Sequence, residues 1–378
     1  MVSRSAQPKH PSPPLRLAIA CQGGGSHTAF TGGVLDALLE RVGSDGLLHR
    51  GDLSYRIVAM SGTSGGALCA YLFWLELMAR RQPARSALRE FWDLTAARPW
   101  PSEPQPGLDL VSNWISLWLA RSQDYLLLPG GRPTALSKVA QDRLRADLSR
   151  FDHLLPAAGR SADEPWLVIG AANLLDAHSR PFVFTPSCLP ALDALLASAA
   201  VPPLFDPVQV GPDPRQLYWD GLLSQNPPLR EFFTGRTRDE KPDVIWVVRI
   251  NPVRVETAPD SPNARRDRYN ELIGNLALAH ELMNLDDTNQ IVADLAALPS
   301  LPLGGRLAAI KAVIPEEIVF EEASDPAYDY ASKLDRSPAF IDALFSAGRE
   351  AAGRFLAREP RPVPCPPRAQ IGPAFARR

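Results

Sequence analysis

Within its first 80 residues the chain twice runs from a short apolar segment, through a glycine-rich break, into a stretch with helical spacing. Residues 15–21 (Leu-Arg-Leu-Ala-Ile-Ala-Cys) read as a core strand. Gln22, Gly23, Gly24 and Gly25 interrupt it, and 28–41 then spaces Phe30, Val34, Leu35, Leu38 and Leu39 as one helical face. Residues 55–60 read as a second strand, 61–66 (Ser-Gly-Thr-Ser-Gly-Gly) as its break, and 67–80 as its helix. Strands alternating with helices in this way form a parallel sheet with helices on both faces. The two glycine turns then lie at the same edge of that sheet, where open α/β sheets carry their sites.

Further strands are expected at 166–171, 182–184, 208–210, 216–219, 244–250 and 312–320. Helices are expected at 134–150, exposed, and at 189–200, 265–298 and 337–358. In the long helix, Leu272, Ile273, Leu276, Met283 and Ile291 recur at helical spacing and read as core packing. Residues 84–127 have no regular pattern. They carry Trp92, Trp100, Trp114 and Trp118 among prolines, and read as a cap segment with an aromatic core, or as a lid lining an acyl pocket. Residues 1–14 and 359–378 are rich in proline and read as a disordered arm and a loose tail. No linker separates two cores, so 15–358 reads as a single domain.

Composition narrows the function. Forty Lys and Arg stand against 42 Asp and Glu, a net charge of −2, which argues against a nucleic-acid binder. Cys21, Cys69, Cys188 and Cys365 form no C-x-x-C pair and no Cys/His cluster, so neither a zinc site nor a disulfide framework is expected. No apolar run reaches the ~18 residues that span a bilayer, and 15–21 is too short for a signal-peptide core. A cytoplasmic location is expected, with peripheral contact at a membrane left open.

Gly62-Thr63-Ser64-Gly65-Gly66 fits G-x-S-x-G between an expected strand and an expected helix, the context a nucleophile turn requires. A glycine-rich turn with a capping serine is the plainer reading. Gly23, Gly24 and Gly25 could aim several backbone N–H groups at one oxygen, as an oxyanion hole does. The same run partly matches a dinucleotide phosphate loop, but Thr28 stands where the last glycine belongs. A purely structural tight turn is the third reading.

Ser64 needs a base. Among six histidines only His280 follows the expected acid in the order Ser-Asp-His, and it sits inside the long helix, where a solvated or packed histidine is the simpler account. Asp220 ends a short apolar strand and precedes Gly221, so a carboxylate at a strand end would face Ser64. An Asp-Gly turn is the alternative. An ordinary Asp, pKa ~3.9, is a weak base for a hydroxyl, so proton transfer must be coupled to attack with the oxyanion held in place.

The ordered set resembles the patatin-like phospholipases, lipid acyl hydrolases with a Ser–Asp dyad. It consists of 23–28 (Gly-Gly-Gly-Ser-His-Thr), 62–66, 197–203 (Ala-Ser-Ala-Ala-Val-Pro-Pro), and Asp220-Gly221-Leu222 followed by Asn226-Pro227-Pro228. The resemblance covers about residues 15 to 250. It implies a three-layer α/β/α sandwich around a mainly parallel sheet. It implies Ser64 as nucleophile, Asp220 as base, and the amides of Gly24 and Gly25 as oxyanion donors, with Gly23, Gly62, Gly66 and Gly221 supporting the turns. It implies no organic cofactor, and a lipid or small acyl ester as substrate; the sequence itself offers no evident metal cluster. His27 and Thr28 stand where the family has a basic residue and glycine, and Leu222 where it has Gly or Ala. On its own, His27 would change charge near pH ~6–7, and Leu222 would narrow the site. A non-catalytic lipid-binding relative is therefore a further alternative, beside a nucleotide-binding protein and a Ser-His-Asp esterase.

Overall fold

The structure, a computed structural model, describes residues 13–79, 85–97, 113–114, 117, 135–156, 164–176, 180–185, 188–202, 205–297 and 307–362. Most of the expected arm, the end of the tail and most of 84–127, including Trp100 and Trp118, lie outside the described residues, as do His10, His178 and Cys365.

Nine strands form one sheet among the described residues. They are β1 (Leu15–Cys21), β2 (Leu48–Arg50), β3 (Leu53–Thr63), β4 (Trp166–Asn173), β5 (Phe182–Phe184), β6 (Val208–Gln209), β7 (Leu217–Asp220), β8 (Val244–Arg249) and β9 (Ile314–Val319). The order is β6-β7-β4-β3-β1-β8-β9, with β2 on β3 and β5 on β4. The β4-β3-β1-β8-β9 run is parallel, and antiparallel pairing is confined to β2, β5, β6 and β7. The fold is thus an α/β sandwich with a mostly parallel centre.

Seven helices are described: α1 (Ala29–Leu39), α2 (Gly65–Ala79), α3 (Ala87–Thr95), α4 (Ala135–Ser149), α5 (Leu192–Ser198), α6 (Pro262–Ala297) and α7 (Pro338–Ala357). Alternation along β1 explains the layering. Leu17, Ile19 and Cys21 enter a core shared with α1, α2, α3 and α7, whereas Ala18 and Ala20 face a second core that includes Leu278 and Leu285 of α6.

Three sequence expectations are corrected. The first helix begins at Ala29, because residues 25–28 form a tighter 3-10 turn ahead of it. Part of the irregular 84–127 stretch is helical: α3 is capped by the Ser86 hydroxyl, which accepts from the Arg89 N–H at 3.1 Å, and it buries Trp92 in the core. The apolar stripe of the long helix is not core. Leu272, Leu276, Met283 and Ile291 are exposed, and α6 instead buries Gly274, Leu278 and Leu285. Gly274 decides this, because a residue without a side chain lets the helix close on Asn251, Leu222 and Asn226.

Candidate active site

Strand register brings the sequence-expected residues to one place. Cys21 pairs with Gly62 across β1 and β3, and Thr63 pairs with Gly170 across β3 and β4. Ala171, next along β4, pairs with Asp220 of β7. The glycine run after Cys21, the serine after Thr63 and Asp220 therefore share one sheet edge. Ser64 and Asp220 are two strand spacings apart, roughly 10 Å of backbone, a gap that two side chains facing each other can close.

Ser64 is the one residue other than glycine with positive φ among those described, at φ 54. An L-residue there is strained, and the strain turns the chain sharply from β3 into α2. Neighbouring turns must come close for this to happen. A Cβ on Gly66 would lie 2.4 Å from the Cys21 carbonyl oxygen, and one on Gly23 would lie 2.9 Å from Ser64 Cβ. Ser64 N–H donates to Ser198 Oγ at 2.9 Å, and Ser198 Oγ–H donates to the Gly170 carbonyl at 2.6 Å. Ser198, from α5, thus ties the turn to β4. In the sequence Ser198 stands within 197–203, and nothing local marks it for this role, which a contact across 134 positions creates. Ser198→Ala would strand a buried N–H and a buried carbonyl, and we expect a loss of about 1–3 kcal/mol in denaturant unfolding.

Asp220 is buried, at 1% exposure. Its Oδ1 accepts from Leu222 N–H at 2.8 Å, and its Oδ2 has no hydrogen-bond partner. Burial pushes its pKa up to about 7, against the opposing pull of the Leu222 N–H and the Ser64 hydroxyl. The serine is thus near enough to act on the carboxylate, although no short hydrogen bond between the two is formed. Gly221 backs on to Gly170, where a Cβ would lie 2.5 Å from its carbonyl. Leu222 sends its Cδ1 towards Gly274 of α6.

The glycine run is held from behind. Gly23 N–H donates to Asn226 Oδ1 at 2.7 Å, and Asn226 Nδ2 donates to the Gly274 carbonyl at 3.1 Å. Gln22 Oε1 accepts from the N–H groups of Ile250 and Asn251, both at 3.0 Å, and its Nε2 donates to the Gly274 carbonyl and to Asn275 Oδ1. Gly25 takes φ 59, which a residue without Cβ adopts freely. No acceptor among the described residues takes the N–H of Gly24 or Gly25.

The expectation for His27 is corrected. It is buried among Phe320, Tyr328 and Phe340, and burial, helped by Lys333, holds its pKa well below the usual value. Ser332 Oγ spends its proton on the Asp329 carbonyl, so His27 Nε2–H is the donor in their 2.8 Å bond. His27 is thus a neutral packing group and does not change charge near pH 6–7. Thr28 Oγ1 donates to the Gly25 carbonyl at 2.6 Å and closes the 3-10 turn. His280 lies exposed on α6 and bonds to neither Ser64 nor Asp220. Among the described residues no group of three or more His, Cys, Asp or Glu is placed to hold a metal ion. No described helix is long and apolar enough to cross a membrane. Two surface cavities of about 50 and 180 Å³ lie along β9 and the end of α7, and neither is lined by Ser64, Asp220 or the glycine run.

The family model for patatin-like phospholipase matches residues 19–233, more than half of the chain and the stretch that holds Gly23–Gly25, Ser64 and Asp220. The chain belongs to the patatin-like phospholipase family. Membership implies lipid acyl hydrolysis, and the fold is that of the family. No curated protein matches the sequence. One solved structure similar to this patatin-like chain is that of full-length SpcU in complex with full-length ExoU, from the type III secretion system of Pseudomonas aeruginosa. Its identity is 16% over 90% of this chain and 71% of that one, with a TM-score of 0.23.

Proposed function

We propose that this patatin-like chain hydrolyses fatty-acyl esters of lipids through an acyl-enzyme on Ser64, with Asp220 as general base and the Gly24 and Gly25 amides as oxyanion donors. One observation carries the reading: a strained serine at a strand-to-helix turn shares its sheet edge with a buried carboxylate whose pKa stands at about 7. A carboxylate at that value is a far better proton acceptor near neutral pH than an ordinary aspartate.

In the first step Ser64 Oγ bonds to the ester carbonyl carbon while its proton passes to Asp220. The carbonyl oxygen becomes an oxyanion facing the free amides of the glycine run, and the amino end of α2 adds its dipole. Collapse of that intermediate breaks the ester C–O bond, and Asp220 returns the proton to the departing alkoxide. Water then attacks the acyl-enzyme, Asp220 takes one of its protons, and collapse releases the fatty acid as the proton returns to Ser64. The residues needed are all of the chain's own, so no cofactor enters the reaction.

The test is labelling with a fluorophosphonate probe, followed by mapping of the modified residue. Modification at Ser64, lost in Asp220→Asn, is the expected result. Protection of the fold by a dinucleotide, with Ser64 unlabelled, would overturn the reading in favour of nucleotide binding at the glycine run. Liposome binding without labelling or ester turnover would make the chain a lipid-binding relative.

A further inference from the structure

Lys333 lies 100 residues beyond the end of the family match at 233, yet it rests on the glycine run. It belongs to a short 3-10 turn, Ala331–Leu334, that packs on the one at Gly25–Thr28. A Cβ on Gly25 would lie 2.2 Å from the Lys333 carbonyl oxygen and 3.3 Å from its Cβ. A Cβ on Gly24 would lie 4.0 Å from Lys333 Cε. The backbone carbonyl and Cβ of Lys333 thus rest on Gly25, and the end of its stem reaches Gly24, the two residues whose amides are free. Its Nζ donates to Asn251 Oδ1 at 3.0 Å, and Asn251 is itself fixed by Gln22.

Burial lowers the Lys333 pKa from that of a free lysine, and the Glu271 and Asp267 carboxylates of α6 oppose that shift and favour the ammonium form. Its hydrogen-bond partner, Asn251, is neutral. Among the described residues no carboxylate lies within ion-pair distance of Nζ, so its charge is not cancelled by a contact partner. The neighbouring residue, Ser332, accepts from His27, so the same turn grips the Gly25–Thr28 turn at two points.

We propose that Lys333 is a positioning residue of the oxyanion turn: it braces Gly24 and Gly25 and keeps positive potential beside their amides. The proposal rests on the hydrolase reading above. A fixed charge near a developing oxyanion acts more strongly on the transition state than on a neutral bound ester. Its effect should therefore fall on kcat rather than on KM.

The test uses the full chain, an uncharged chromogenic fatty-acyl ester and a fluorophosphonate probe. Lys333→Met keeps most of the stem and removes the charge. It is expected to lower kcat by about tenfold, to leave KM within about twofold, and to slow labelling of Ser64 in parallel. Lys333→Arg is expected to recover most of that loss. Should Lys333→Met fail to fold, Lys333→Gln, which keeps a donor for Asn251, is expected to show the same loss in kcat. Unchanged kcat and labelling rate in the neutral variants, or a raised KM with kcat intact, would overturn the proposal while leaving the hydrolase reading standing. Equal losses in Lys333→Arg and Lys333→Met, matched by equal losses in thermal stability, would reduce the residue to a packing role and overturn it too. A wild-type chain in which Ser64 is not labelled would overturn the hydrolase reading, and this proposal with it.

Discussion

Ser64→Ala is expected to lower kcat for a chromogenic fatty-acyl ester by roughly 10⁴-fold or more, with the fold intact. The size follows from what the substitution removes. Without Oγ no acyl-enzyme forms, and the remaining amides can only polarise a carbonyl for direct attack by water. The alanine stays in the left-handed region at φ 54, so the turn keeps its shape and its strain. Ser64→Gly removes the nucleophile and the strain together, and should be the more stable of the two variants by about 1 kcal/mol. Circular dichroism and denaturant unfolding check the fold, and ester turnover checks the chemistry. Retention of most of the activity in Ser64→Ala would exclude this serine as nucleophile.

Asp220→Asn is expected to abolish turnover and, above neutral pH, to raise stability. Both effects arise from the same burial. The folded-state pKa stands at about 7 against an ordinary 3.8, so the native chain binds this proton more tightly than the unfolded chain does. The stabilisation from the neutral carboxyl is complete below pH ~4 and is lost as pH rises from there through about 7. The gap between those values corresponds to something on the order of 4 kcal/mol. Asparagine keeps an acceptor for Leu222 N–H and carries no charge, so this pH-dependent loss should vanish from its unfolding free energy. Denaturant unfolding at pH 5 and pH 8 measures the difference: the wild-type chain should lose stability over that interval relative to the variant. Activity should run the other way. The base works only when ionised, so kcat/KM of the wild-type chain should rise with pH around a midpoint near 7. A midpoint below pH 5, or full turnover in Asp220→Asn, would remove Asp220 from the mechanism.

The two variants also bear on the trade between stability and function. A strained nucleophile and a buried carboxylate without a partner for Oδ2 both cost folding free energy. They are tolerated because the surrounding elements over-determine the turn: Ser198 from α5, Asn226 from the loop after β7, and α6 through Gly274 all converge on it. Functional sites commonly concentrate such costs.

Much of this was written locally. Glycine turns after strands, helical spacing and an Asp-Gly step at a strand end are features of short segments, because backbone sterics and the 2-residue and 3.6-residue periods act over a few residues. They gave the α/β class, the parallel centre of the sheet and the residues that meet at its edge. What the sequence alone could not decide was set by contacts between residues far apart in the chain. Gly23 reaches Asn226 across 203 positions, and Ser64 reaches Ser198 across 134. The stripe at Leu272, Leu276 and Met283 has a helical period, but a period marks a face without saying what covers it. Only the closing of α6 through Gly274 settled which side was buried. The pKa of Asp220 and the neutral state of His27 were equally invisible, because both arise from desolvation, a property of the whole folded surround and not of neighbours in the sequence.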